Sequence, residues 1–123
     1  MVKQKSMSPP LQQYLKAHRK KAGFSQNDVA FLLGKKSGSH VSRFEQSKTI
    51  PDLCTSLSYQ ILFNVPLDTL FAGVNNEVEI NVFRRTAQLI SWLEQKGRSP
   101  KIMRRIDYLE EVARRIAVTN LEV

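Results

Sequence analysis

Between positions 37 and 49 the chain reads SGSHVSRFEQSKT: small hydroxyl side chains, one histidine and one arginine, with no acid before Glu45. Residues of these types form hydrogen bonds and attract anions, but the bond-making machinery of an enzyme is missing. His18 and His40 lie far apart, and no Cys/His/Asp cluster has metal-ligand spacing. No glycine-rich phosphate loop follows a strand, and no serine sits in a nucleophile elbow. Neither an enzyme, a metal site nor a cofactor is therefore expected. Glu110 and Glu111 read as a solvated helix face. The pairs Arg84-Arg85, Arg104-Arg105 and Arg114-Arg115 alternate with acids, which points to surface ion pairing.

A binding face of this kind needs elements to hold it. Ser8 is placed to cap a first helix, with Pro9 at its first position and Leu11, Tyr14, Leu15 and Ala22 along one side before Gly23. Ser25 caps a second helix, with Asp28 as an acidic variant of the capping box. Val29, Ala30 and Leu33 supply its buried face, and Gly34 closes it. A third helix starts at Ser37 or Gly38 and runs to about Gln46, with Val41 and Phe44 pointing inward. Ser37, Gly38, Ser39, His40, Ser42 and Arg43 are left for its outer face. Asp52 caps a fourth helix ending at Asn64, and Pro66 to Phe71 makes a short fifth.

After Ala72-Gly73 the texture changes. Residues 76–96 form one long amphipathic segment; Gly97 and Ser99-Pro100 stop it and start another. In this last helix Ile102, Ile106, Leu109, Ala113 and Ile116 recur at spacings of 4, 3, 4 and 3, as in a helical hairpin. The expected organisation is all-α: a basic N-terminal arm at 1–10, a compact five-helix domain at 11–73, and a C-terminal helical hairpin at 74–123.

Charge narrows the partners. The chain carries 19 basic and 11 acidic residues, a net +8. Residues 1–73 hold ten of the basic groups and only four acidic ones, while 74–123 hold nine and seven. Such an excess attracts polyanions, nucleic acid first. The longest apolar run is Val29 to Leu33, too short to span a bilayer. No secretory leader is expected from MVKQKSMSPP, and the single cysteine, Cys54, suits a reducing cytosol.

Two short helices joined by a tight turn can hold the second proud of the domain, where it fits the DNA major groove. With its flanks the segment becomes specific. The run LKAHRKKAGFSQNDVAFLLG, then HVSRFEQSKTIPDLCTSL and VPLDTLF, resembles the Cro/repressor-type (XRE) helix-turn-helix family over about residues 11–73. Arg19, Gly23, Ser25-Gln26, Ala30, Gly34, Ser42-Arg43, Glu45, Pro51 and the closing Leu67-Asp68 with Leu70-Phe71 fall in register. The resemblance implies a lambda-repressor-like fold and a DNA-binding regulator of transcription.

By position, the resemblance makes Gln26 a phosphate-binding glutamine, helped by the amides at its helix N-terminus. It makes the exposed face of the third helix a base-reading surface. There Arg43 is the first candidate, because its planar fork can bond guanine O6 and N7 together, with Ser39 and His40 next. Lys48 and Thr49 match positions that touch backbone phosphate. Arg19 and Glu45 match a partly buried ion pair tying the first helix to the third. The segment from Gly34 to Val41 is one residue longer than the commonest pattern, which adds Lys35 and Lys36 beside the groove as phosphate candidates. Phe31, Leu32, Cys54 and Ile61 are apolar where the family is polar, so a cover is expected over them: the hairpin or a second subunit. The expected function is sequence-specific repression by a homodimer on double-stranded DNA, in the cytoplasm. The alternative is an antitoxin whose hairpin masks a toxin while its first domain represses its own operon. A third role for 74–123 is dimerisation alone.

Overall fold

A computed structural model describes residues 12–121 of the chain. Seven helices and no strand are found among them: α1 Leu15–Ala22, α2 Gln26–Leu32, α3 Gly38–Glu45, α4 Leu53–Phe63, α5 Leu67–Leu70, α6 Ala72–Lys96 and α7 Pro100–Leu121. The chain divides into two compact units, one ending at Asn75 and one beginning at Asn76. Five helices in the first unit and a helical second region agree with the all-α expectation.

The first unit closes around Leu15, Val29, Ala30, Val41, Phe44, Tyr59 and Leu70, all buried. Each fully buried aliphatic or aromatic side chain in such a cluster contributes about 1.5–3 kcal/mol relative to exposure. Tyr59 sits at the centre: Phe44 and Phe71 meet its ring edge-on at 6.3 and 6.4 Å, and Phe63 lies tilted at 5.9 Å. Its hydroxyl is buried with no hydrogen-bond partner among the described residues, and burial pushes the phenol's pKa well above the ordinary range.

Several boundaries differ from the sequence reading. The expected cap at Ser8, the helix start at Pro9, the apolar Leu11 and the basic arm lie outside the described residues. Positions 12–14 are not helical, however, and Tyr14 stands at the N-cap of α1 rather than within it. Backbone bonds hold this segment elsewhere: Tyr14 N–H donates to Leu70 O (2.9 Å) and Gly73 N–H to Gln12 O (2.7 Å). The Gln13 amide completes the diversion, accepting from Leu15 N–H and donating to Glu45 O. The fifth helix is shorter than Pro66–Phe71, with Pro66 as its N-cap. Ala72-Gly73 does not interrupt the chain; α6 begins there, because a free first-turn N–H costs Gly73 nothing once Gln12 accepts it.

In the second unit α6 and α7 run antiparallel. Ile80 and Phe83 lie beside Ile116, Ala117 and Asn120, while Glu94 lies beside Met103, Ile106 and Glu110. Ser99 caps α7, its hydroxyl accepting from Ile102 N–H. Only Thr86, Leu93 and Ile106 are buried among the described residues of this unit.

Candidate nucleic-acid interface

The placement of α3 starts with the ends of α2. Ser25 accepts from Asp28 N–H (3.0 Å) while the Asp28 carboxylate accepts from Ser25 N–H (2.9 Å), a complete capping box. Those bonds hold the Asp28 carboxyl below its usual pKa. At the other end Gly34 turns left-handed (φ 76°), a conformation that disfavours any Cβ. Gly34 N–H then reaches Phe31 O and Lys35 N–H reaches Ala30 O, so the last carbonyls of α2 are satisfied. The chain leaves α2 pointing back across it, and Ser37 caps α3 by accepting from Ser39 N–H.

The contact between α2 and α3 is close. Gly38 is buried, and a Cβ added to it would stand 2.8 Å from Asn27 Oδ1, 3.1 Å from Gln26 Cβ and 3.2 Å from Asn27 N. Asn27 Oδ1 accepts from Gly38 N–H at 2.9 Å, so α2 helps cap α3 from outside. Gly38 was expected on the outer face; it lies inward instead, because only a bare backbone fits against the first turn of α2.

The far end of α3 is fixed by Glu45. Arg19 donates through Nε to Glu45 Oε2 (2.6 Å) and through Nη2 to Oε1 (3.1 Å), and its Nη1 donates to Phe24 O (3.0 Å). Their side chains are 10% and 3% exposed, so the expected ion pair between first and third helices is present and nearly dry. The hydrogen bonds from Arg19 to Glu45 raise the guanidinium's pKa further, so its charge is permanent. Gln26 donates to the same carboxylate oxygen at 3.1 Å. One N–H of this amide is thus committed inward, leaving the second for another acceptor. Gln13 spans from the start of α1 to Glu45 O (2.6 Å) and to the Ser47 hydroxyl (3.3 Å), and Ser47 takes a left-handed turn (φ 58°) that ends α3.

With both ends tied and Val41 and Phe44 buried, the rest of α3 faces outward. Ser39, His40 and Arg43 are exposed, and Ser42 is half-buried at the edge, accepting from Gln46 Nε2 (2.9 Å). The Ser37 and Ser39 hydroxyls share a hydrogen bond of 2.8 Å. The Arg43 guanidinium has no hydrogen bond or ion pair among the described residues. Lys36 precedes α3 and Lys48 and Thr49 follow it, all three exposed. Lys35 is half-buried on the side of Asp52. That carboxyl's pKa is lowered chiefly by the Thr55 hydrogen bonds, and further by the lysine's charge. The one acid of α3 is therefore turned inward and neutralised, and the outward residues carry only positive or neutral groups.

The structure places Ser39, His40, Ser42 and Arg43 on α3 with Ser37 at its N-cap, while Gly38 lies inward and one N–H of Gln26 turns to Glu45. Gln13 and Asn27 were missed, because side chains that bond a distant backbone leave no periodic trace. Phe31 (82%), Leu32, Cys54 and Ile61 (79%) are exposed on the first unit. No helix among the described residues is long and apolar enough to cross a membrane.

Among known protein families, the model described as "Helix-turn-helix" matches residues 15–70. No curated protein and no solved structure matches the chain.

Proposed function

With residues 15–70 a helix-turn-helix domain of the Cro/repressor (XRE) type, and the chain accordingly a DNA-binding regulator, we propose that α3 reads base edges in the major groove and that binding represses transcription. One observation carries this reading: α3 is held at both ends by side chains of other segments, while Arg43 stands outward beside Ser39 and His40 with no partner among the described residues. A fixed helix presenting a free planar donor fork suits bidentate contact with guanine.

The surrounding groups take the phosphates. Gln26 offers its remaining N–H at the start of α2. Lys36, Lys48 and Thr49 flank α3 on either side, and Lys35 adds charge from behind. Ser37 contributes as the cap that orients Ser39. One such helix reads only a few base pairs. Two copies on half-sites about one helical turn (~34 Å) apart give the span a repressor needs.

Selection of bound fragments from random duplexes tests the reading, with affinity measured against salt. A consensus with two-fold symmetry is expected. Arg43→Ala should cost ~1–3 kcal/mol and relax preference at one position of each half-site. Salt-sensitive binding without any consensus would leave only phosphate attraction and overturn base reading. A second reading, an antitoxin that masks a toxin, is favoured by the exposed apolar residues of α6 and α7. Copurification with a small nuclease-like chain supports it.

A further inference from the structure

Helix α6 carries two apolar stripes where a hairpin needs one. The first, Phe83, Thr86, Ile90 and Leu93, holds the buried residues of α6 and turns toward α7. The second consists of Val78, Val82, Arg85, Leu89, Trp92 and Lys96, at spacings of 4, 3, 4, 3 and 4. That spacing makes a continuous seam along a helix, set about a quarter-turn from the first. Its apolar members are open: Val78 is 51% exposed, Val82 39%, Leu89 38% and Trp92 50%. A helix with two adjacent seams has the surface of a member of a four-helix bundle, which contacts two neighbours.

We infer that this second stripe is the contact face for a second copy of the chain, so that two hairpins combine as a four-helix bundle. The unit needs such a completion, because Thr86, Leu93 and Ile106, the buried residues among those described, make a very small core for a unit of 48 residues. The stripe exposes roughly 350 Å² of apolar side chain. That is most of the apolar centre, ~500 Å², which each partner gives to a standard interface. The aliphatic stem of Arg85, within the seam, adds to it.

Charge favours a copy over a strongly charged partner. From position 76 onward nine basic residues face seven acidic ones, so two units meet without the repulsion that two basic first units would feel. Lys96 already covers part of Trp92, its Nζ 4.8 Å from the ring centre. Arg85 interrupts the seam at its middle. Two copies must be staggered to part their guanidiniums, which sets the register much as a polar seam residue does in a coiled coil. The face closes on itself by two-fold symmetry. The inference deepens the DNA reading by supplying the partner that a two-fold operator requires, and its physical test is separate.

Trp92 is the only tryptophan, and it lies on the stripe. The full chain is examined by sedimentation equilibrium and by tryptophan emission during dilution. A dimer is expected, with blue-shifted emission that moves red as it dissociates. The pair Val82→Glu and Leu89→Glu should give a monomer of unchanged helix content. It should bind a single half-site as the wild type does, and a full operator about 100-fold more weakly. A wild-type monomer, a dimer whose Trp92 emits as in water, or a double variant that stays dimeric overturns the inference. If the variant does not fold, the wild-type emission and mass still decide. Half-site binding retained in any of those cases leaves the DNA reading standing. A Trp92-burying dimer that selects no DNA sequence does the reverse.

Discussion

Gly38→Ala isolates the contact that seats the third helix. The added Cβ would lie 2.8 Å from Asn27 Oδ1, 3.1 Å from Gln26 Cβ and 3.2 Å from Asn27 N. The first neighbour can swing away, but only by giving up its bond to Gly38 N–H, worth about 1 kcal/mol. The others belong to the start of α2 and yield only if the helices separate by a few tenths of an ångström, an overpacking cost of ~1–3 kcal/mol. Against this stands alanine's better helix propensity, at most ~1 kcal/mol. The net expectation is a loss of ~1–3 kcal/mol, read as a lower urea midpoint by circular dichroism. DNA affinity should fall as well under conditions where the variant is folded, because α3 moves relative to Gln26. Adding Asn27→Ala should restore part of the stability by removing the nearest atom. A Gly38→Ala protein as stable as the wild type would refute this account of why α3 stands where it does.

The remaining predictions probe other supports. Arg19→Ala strands the Glu45 carboxylate in a nearly dry site, costing ~3–5 kcal/mol. Chemical denaturation should show the domain loosening before any change in base preference, and a stable variant that loses DNA would reassign Arg19 to the interface. Tyr59→Phe removes a buried hydroxyl with no partner among the described residues while keeping the ring contacts, so the thermal midpoint should stay level or rise. A clear drop would mean that the hydroxyl is satisfied. The carboxyl pKa values of Asp28 and Asp52 are lowered in the fold by capping bonds. Their contribution is therefore present above the unfolded value, ~3.9, and is lost as pH falls through the folded one. Stability should decline below about pH 4, less steeply in Asp52→Asn, as followed by thermal melts across pH.

The parts legible in sequence are those with short-range rules. Ser25 with Asp28, Gly34, Asp52 and Asn64 fixed helix ends because caps and left-handed turns act over four residues. Val41 and Phe44 declared the inner face of α3 by their spacing. What escaped was set by distant backbone. Residues 12–14 have helical composition, yet they bond to Leu70 and Gly73 rather than to one another. Gly38 has a neutral pattern, and only the proximity of Asn27 reveals why it carries no side chain. Gln26 could be placed on α2, but its bond to Glu45 depends on how two helices cross.

The bonds Tyr14 N–H to Leu70 O and Gly73 N–H to Gln12 O bring the segments 12–14 and 70–73 within touching distance. A module closed in this way can be lifted out at positions 12 and 73 and spliced into a surface loop of an unrelated scaffold with little stretching of the host. Helix α3 would travel with its seat, because Gln13 joins that same junction to the end of α3. Rejoining these positions by a short linker and opening the chain elsewhere should likewise give a rearranged module that still folds.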